Sequence, residues 1–101
     1  MVNARAKGRR GESAFGKLLE SRDYDVIDTT CGKEGPDFVA LDAHGVSWAF
    51  EVKNRRIWTW GDFRKQARAQ SGRSRWALAC KVPDSGWWYV EMQGREPELW
   101  R

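Results

Sequence analysis

The chain has 101 residues, 41 % hydrophobic and 32 % charged, which suits one globular domain with a modest core and excludes both a second domain and a disordered chain. Eighteen Lys and Arg outweigh fourteen Asp and Glu, for a net charge of +4, a balance that favours a polyanionic partner. No apolar run approaches the roughly 20 residues that cross a bilayer, and no signal peptide opens the chain, so no membrane association and a cytoplasmic location are expected.

Residues 1–8 are polar and basic and read as a flexible arm. Helical periodicity runs from Arg9 to Arg22, with Ala14, Phe15, Leu18 and Leu19 on one face. Glu12 falls at the N-terminal end of that face, where a carboxylate either caps or serves chemistry. Tyr24 to Thr30 reads as a first strand, and Cys31 to Pro36 as a loop punctuated by Gly and Pro. Asp37 to Leu41 is a second strand and Asp42 to Gly45 a hairpin turn. The third strand, Val46 to Lys53, alternates: Val46, Trp48, Phe50 and Val52 share one face, and Ser47, Ala49, Glu51 and Lys53 the other.

A basic connection follows, then a second helix from about Gly61 to Ser71, with Phe63, Gln66, Ala67 and Gln70 inward. Arg75 to Lys81 is a fourth strand, and Trp87 to Met92 a last one. Residues 93–101 are read as a loosely ordered tail, leaving residues 9–92 as the folded domain. The order α-β-β-β-α-β-β implies an α/β fold, a mixed sheet flanked by helices.

Cys31 and Cys80 make no disulfide framework, and with the single His44 they are too few for a structural zinc site. Of seven tryptophans, Trp48 and Trp76 lie in strands and are expected in the core. Trp58, Trp60, Trp87, Trp88 and Trp100 are divided between packing, base stacking and a subunit interface. Basic residues cluster at Arg5, Lys7, Arg9 and Arg10, at Lys53, Arg55 and Arg56, and from Arg64 to Arg75. Such clusters follow a phosphate backbone or simply solvate a surface.

The chemistry rests on three residues. Asp37 opens a strand after a Gly-Pro loop, and Glu51 and Lys53, two apart, project from one face of the next strand. Hairpin pairing brings Asp37 toward that face, at a distance set by a register that the sequence leaves open. Glu-x-Lys alone is common and usually an exposed ion pair. In combination with Asp37 it offers oxygen ligands for Mg²⁺ and a lysine beside them, the set that phosphodiester hydrolysis needs.

Pro36-Asp37 followed by Glu51-Val52-Lys53 resembles the signature of the PD-(D/E)xK nucleases. Gly8-Arg-Arg-Gly-Glu12 leading into Phe15-Gly-Lys-Leu-Leu19 extends the likeness, over about residues 7–92, to the archaeal-type Holliday junction resolvases of that superfamily. The resemblance implies a restriction-endonuclease-like domain that cuts branched DNA, the four-way junction above all, as a homodimer with Mg²⁺, for which Mn²⁺ substitutes. It implies Asp37 and Glu51 as metal ligands with the Val52 carbonyl, Glu12 as an assisting glutamate, and Lys53 as the catalytic lysine. Gln66 corresponds to a second-helix polar residue and Thr30 to a loop hydroxyl. Arg5, Lys7, Arg9, Arg10, Arg55 and Arg56, with Gln66, are the expected DNA contacts. Three alternatives stay open: another nuclease of the superfamily (flap, nicking or restriction-type), a non-catalytic DNA-binding module on the same fold, and a subunit of a larger machine.

Overall fold

The computed structural model describes residues 4–29 and 35–101, and side chains from Ser13 onward except that of Asp28. Its elements are α1 (Ala4–Ser21), β1 (Asp25–Thr29), β2 (Phe38–Leu41), β3 (Ser47–Lys53), α2 (Trp60–Gln70), β4 (Arg75–Lys81), β5 (Trp88–Met92) and β6 (Glu98–Trp100). The six strands form one sheet in sequence order. All neighbours are antiparallel except β3 and β4, which run parallel. A parallel pair needs a crossover, and α2 supplies it.

Alternation along the strands divides the core in two. Trp48, Phe50 and Val52 of β3, Ala77 and Ala79 of β4, and Trp88, Val90 and Met92 of β5 meet Phe15 and Leu19 of α1. On the opposite face Leu78 and Cys80 of β4 meet Phe63 and Ala67 of α2. With a helix on each side, β3 is buried at every position after Ser47. Gly16 lets α1 sit close to β2, because a Cβ there would lie 3.1 Å from the Phe38 ring. Asp42 ties the β2–β3 hairpin together: its Oδ1 accepts from the backbone N–H of His44 and of Val46, both at 2.9 Å, and its Oδ2 from Trp48 Nε1 at 3.0 Å. Chiefly through the Trp48 bond, these donors hold its carboxyl below the ordinary range.

Three expectations change. The helix begins at Ala4, not Arg9; the basic stretch before Arg9 has no apolar stripe to announce it. The tail is not loose throughout, since β6 pairs with β5 and Trp100 is buried. The burial of one large aromatic ring outweighs the polar composition around it. Trp76 is half-buried beside the α2 cluster rather than wholly within the core. Trp48 is fully buried as expected, and Trp88 joins it. Cys80 is a buried, free thiol pushed up to about 12 by desolvation, inert packing rather than a nucleophile; Cys31 lies outside the described residues. Among the described residues no helix is long and apolar enough to cross a membrane.

Candidate active site

Register places the central residues. Phe38 pairs with Phe50 across β2 and β3, and both rings belong to the α1 side of the sheet. The next position outward sets Asp37 opposite Glu51, and by alternation both face α2. Lys53, two residues on, shares that face. The three groups expected from the sequence are therefore brought together at the end of β3.

Asp37 Oδ2 accepts a 2.7 Å hydrogen bond from the Val52 backbone N–H, a donor the β2 backbone does not reach because β2 begins at Phe38. That bond locks the strand segment holding Glu51 and Lys53. Lys53 Nζ stands 3.4 Å from Glu51 Oε1 and donates to Gln66 Oε1 at 2.5 Å. It also lies 5.4 Å from the centre of the Phe63 ring. Only 5 % of Glu51 and 8 % of Lys53 is exposed, so this pair occupies a desolvated pocket and not a solvated strand face.

Burial raises the Glu51 carboxyl to about 7; the charge of nearby Asp37 pushes the same way, and Lys53 opposes both. The remaining Glu51 oxygen faces Gln70. With its amide turned so that nitrogen meets oxygen, Gln70 donates to Glu51 Oε2 at 2.6 Å and to the Gly35 carbonyl at 2.8 Å. Gln66 and Gln70 are four apart on α2, hence on one face, and between them they hold Lys53 and Glu51. No buried side-chain polar atom among the described residues lacks a partner.

Sequence reasoning placed Gln70 on the inward face of α2 without assigning it to the site. The signal was present: two glutamines at helical spacing, inward, opposite a Glu-x-Lys strand. A neutral amide gives no hint of its own, and only the packing of α2 across β3 makes it a neighbour of Glu51.

The donor set suits a hard divalent cation. Asp37 and Glu51 offer carboxylate oxygens and the Val52 carbonyl directly follows Glu51 in β3, while among the described residues no group of three or more His, Cys, Asp and Glu is placed to hold a metal ion. Mg²⁺ is commonly held by one or two carboxylates together with waters and phosphate oxygens, and Mn²⁺ accepts the same ligands. Zinc would call for more protein ligands.

Other expected site residues are dispersed. Arg55 and Arg56 are exposed just beyond β3. Arg56 makes a bidentate pair with Asp84, both bonds 2.9 Å. Arg55 lies 5.9 Å from the Phe63 ring centre, over the same ring as Lys53. From the third basic cluster, Arg64 pairs with Glu91 at 2.8 Å and Arg68 covers Trp76. Glu12, Arg5, Lys7, Arg9 and Arg10 belong to the α1 backbone, but their side chains lie outside the described residues, as does Thr30.

No protein-family model matches the chain, and no curated protein matches it. A solved structure does: that of Hjc from Archaeoglobus fulgidus, a Holliday junction resolvase from an archaeal hyperthermophile. The two are 22 % identical and superpose with a TM-score of 0.60, covering 93 % of this chain and 81 % of the other. The chain therefore shares the fold of Hjc, in keeping with the fold that the sequence resemblance implied.

Proposed function

We propose that this chain is a metal-dependent endonuclease selective for branched DNA, most specifically a Holliday junction resolvase. The observation that carries the reading is the convergence of Asp37, Glu51 and Lys53 on one desolvated face, with Asp37 bonded to the strand that bears the other two. A fold likeness to Hjc over nearly the whole chain supports it.

Asp37, Glu51 and the Val52 carbonyl would hold Mg²⁺ or Mn²⁺, with Glu12 assisting. The bound ion supplies polarisation of a phosphoryl oxygen and a water of lowered pKa. Lys53, fixed by Gln66 and Glu51, presents a cation beside the same position. There it offsets charge developing on the phosphate and orients the attacking water. Gln70 holds the second Glu51 oxygen and so sets the carboxylate plane. Arg5, Lys7, Arg9, Arg10, Arg55 and Arg56 are the proposed phosphate contacts. Two copies acting as a homodimer would place one such site on each of two opposed strands.

The test is cleavage of a synthetic four-way junction beside a matched linear duplex, with Mg²⁺ or with EDTA, by the native chain and by Asp37→Asn. Symmetrical junction cuts that need Mg²⁺, and are lost in Asp37→Asn while DNA binding persists, are the expected result. Equal cutting of both substrates would retain a nuclease and remove the junction selectivity. Binding without any cutting would make the chain a DNA-binding module.

Ion affinity is expected to depend on pH in a stated direction. Glu51 carries its proton below about 7, and a ligand must lose its proton to bind. Mg²⁺ affinity should therefore rise by roughly tenfold per pH unit up to about 7 and level off above it. Calorimetric titration at pH 6 and pH 8 checks this, and equal affinities would remove Glu51 from the ligand set.

A further inference from the structure

We propose that the loop 54–58 is a DNA-distorting element in which Ile57 acts as an apolar wedge, entering an opened base step beside the phosphate being cut. This rests on the nuclease reading for its substrate and adds to it a residue and a mechanism of junction selectivity.

Ile57 is 80 % exposed, the most exposed large aliphatic side chain among the described residues. A lone exposed aliphatic residue is ordinary on a protein surface. What distinguishes Ile57 is its mounting. It stands four positions after Lys53, and Arg55 and Lys53 lie 5.9 Å and 5.4 Å from the Phe63 ring centre, so the loop leaves directly from the candidate active site.

The loop is also braced on both sides of Ile57. Trp58 Nε1 donates to the Arg55 carbonyl at 2.9 Å, closing a tight turn around the residues between them. The Trp58 ring packs on Trp60 at 4.9 Å and on Tyr89 at 5.9 Å. The Thr59 carbonyl accepts from the Phe63 N–H at 3.0 Å, joining the loop to the first turn of α2. Ile57 is thus presented outward by a stiff support, which is the condition for pushing bases apart instead of folding back on contact.

Charge identifies the partner. Arg55 and Arg56 immediately precede Ile57, and an open groove of about 560 Å³ beside them includes Asn54, Lys81 and Asp84. The Arg56–Asp84 pair is exposed, 65 % and 75 % at the side chains. Such a pair contributes little stability and exchanges readily for a phosphate. An apolar tip with guanidinium groups behind it matches a nucleic-acid backbone with an opened step between its bases. Wedges of this kind offset the cost of unstacking through the bent DNA they stabilise. At a four-way junction the exchanging strands break the continuous stack at the branch, so opening a step there costs less than within continuous duplex and the wedge discriminates against the latter.

The experiment uses the full chain carrying Asp37→Asn, so that binding is read without cutting, and a four-way junction with 2-aminopurine next to the branch. Binding should raise the 2-aminopurine emission. Ile57→Ala should lose most of that rise and weaken junction binding roughly tenfold or more, the scale of one aliphatic side chain left unburied. Ile57→Phe should keep the rise. Leu99→Ala, at a residue 60 % exposed on β6, is the control and should change nothing.

An unchanged emission rise in Ile57→Ala would overturn the wedge, as would a parallel loss in Leu99→Ala. Were Ile57→Ala instead to convert a dimer to a monomer with the emission rise intact, Ile57 would belong to an interface between copies and the wedge would fall. Because the readout is binding, a chain that binds junctions without cutting them would fail the nuclease reading alone. A chain that binds no DNA would fail both.

Discussion

Replacing Glu51 by Gln is expected to abolish cleavage and to stabilise the metal-free fold at pH 8. In the unfolded chain the carboxyl titrates near 4.5, and in the fold near 7. Between those values the folded state holds more protons than the unfolded state, so stability falls as pH rises through that window and is flat on either side of it. Above about 7 the protein carries a buried anion that the fold disfavours, because desolvation and Asp37 together outweigh Lys53. Gln keeps the shape and removes the charge, and Gln66 still accepts from Lys53.

The gain at pH 8 should be about 1 kcal/mol or more, roughly 4–8 °C in Tm for a domain of this size. At pH 5 most of it should be gone, since native Glu51 is then protonated too. Cleavage should fall by about 10³-fold or more, the scale seen when a group that stabilises transition-state charge is removed. Thermal melts at the two pH values, with EDTA, and a junction assay with Mg²⁺ measure both effects. A lower Tm than native at pH 8 would mean that the Glu51–Lys53 pair is a net stabiliser, its attraction exceeding the cost of burying the carboxylate.

Much of this site was legible because strand geometry is simple. Glu51 and Lys53 share a face wherever the strand lies, and the alternation of Trp48, Phe50 and Val52 against them told which face carries the larger apolar cluster, though β3 is buried on both. Asp37 needed one more fact, the hairpin register, since a slip of one residue would turn it toward α1. What stayed hidden depended on tertiary packing. Gln70 became a site residue only when α2 crossed β3, and its neutral amide carries no pattern of its own. The first turns of α1 were hidden for the opposite reason: Ala4 to Gly8 is basic and has no apolar face, so nothing local distinguishes helix from arm. Strand β6 is three residues long, below the length at which period-two alternation can be read, and Pro97 and the charges before it read as a tail.

That last strand leads to the second large effect. Trp100→Ala is expected to cost about 3–5 kcal/mol, as for other buried aromatic truncations, and to lower Tm by more than about 10 °C. Trp100 is 3 % exposed and lies 6.1 Å from Phe15, 5.8 Å from Tyr24 and 6.2 Å from Phe50, ring centre to centre. Arg22 covers its outer face at 4.3 Å, and its Nε1 donates to Glu98 at 2.9 Å. One ring at the end of the chain therefore joins α1, the turn after it and β3. Trp87→Ala is the matched control, since Trp87 is 38 % exposed and set against Arg101; it should cost far less. Denaturant melts of both variants, with m-values compared, decide the point. If the two differed by less than about 1 kcal/mol, within the ordinary scatter of surface changes, β6 would be a peripheral appendage. The expected large gap would mean that Phe50, the neighbour of Glu51 in β3, takes part of its support from β6. The site would then loosen before the fold melts: junction cleavage by Trp100→Ala should decline at temperatures where its secondary structure is still intact.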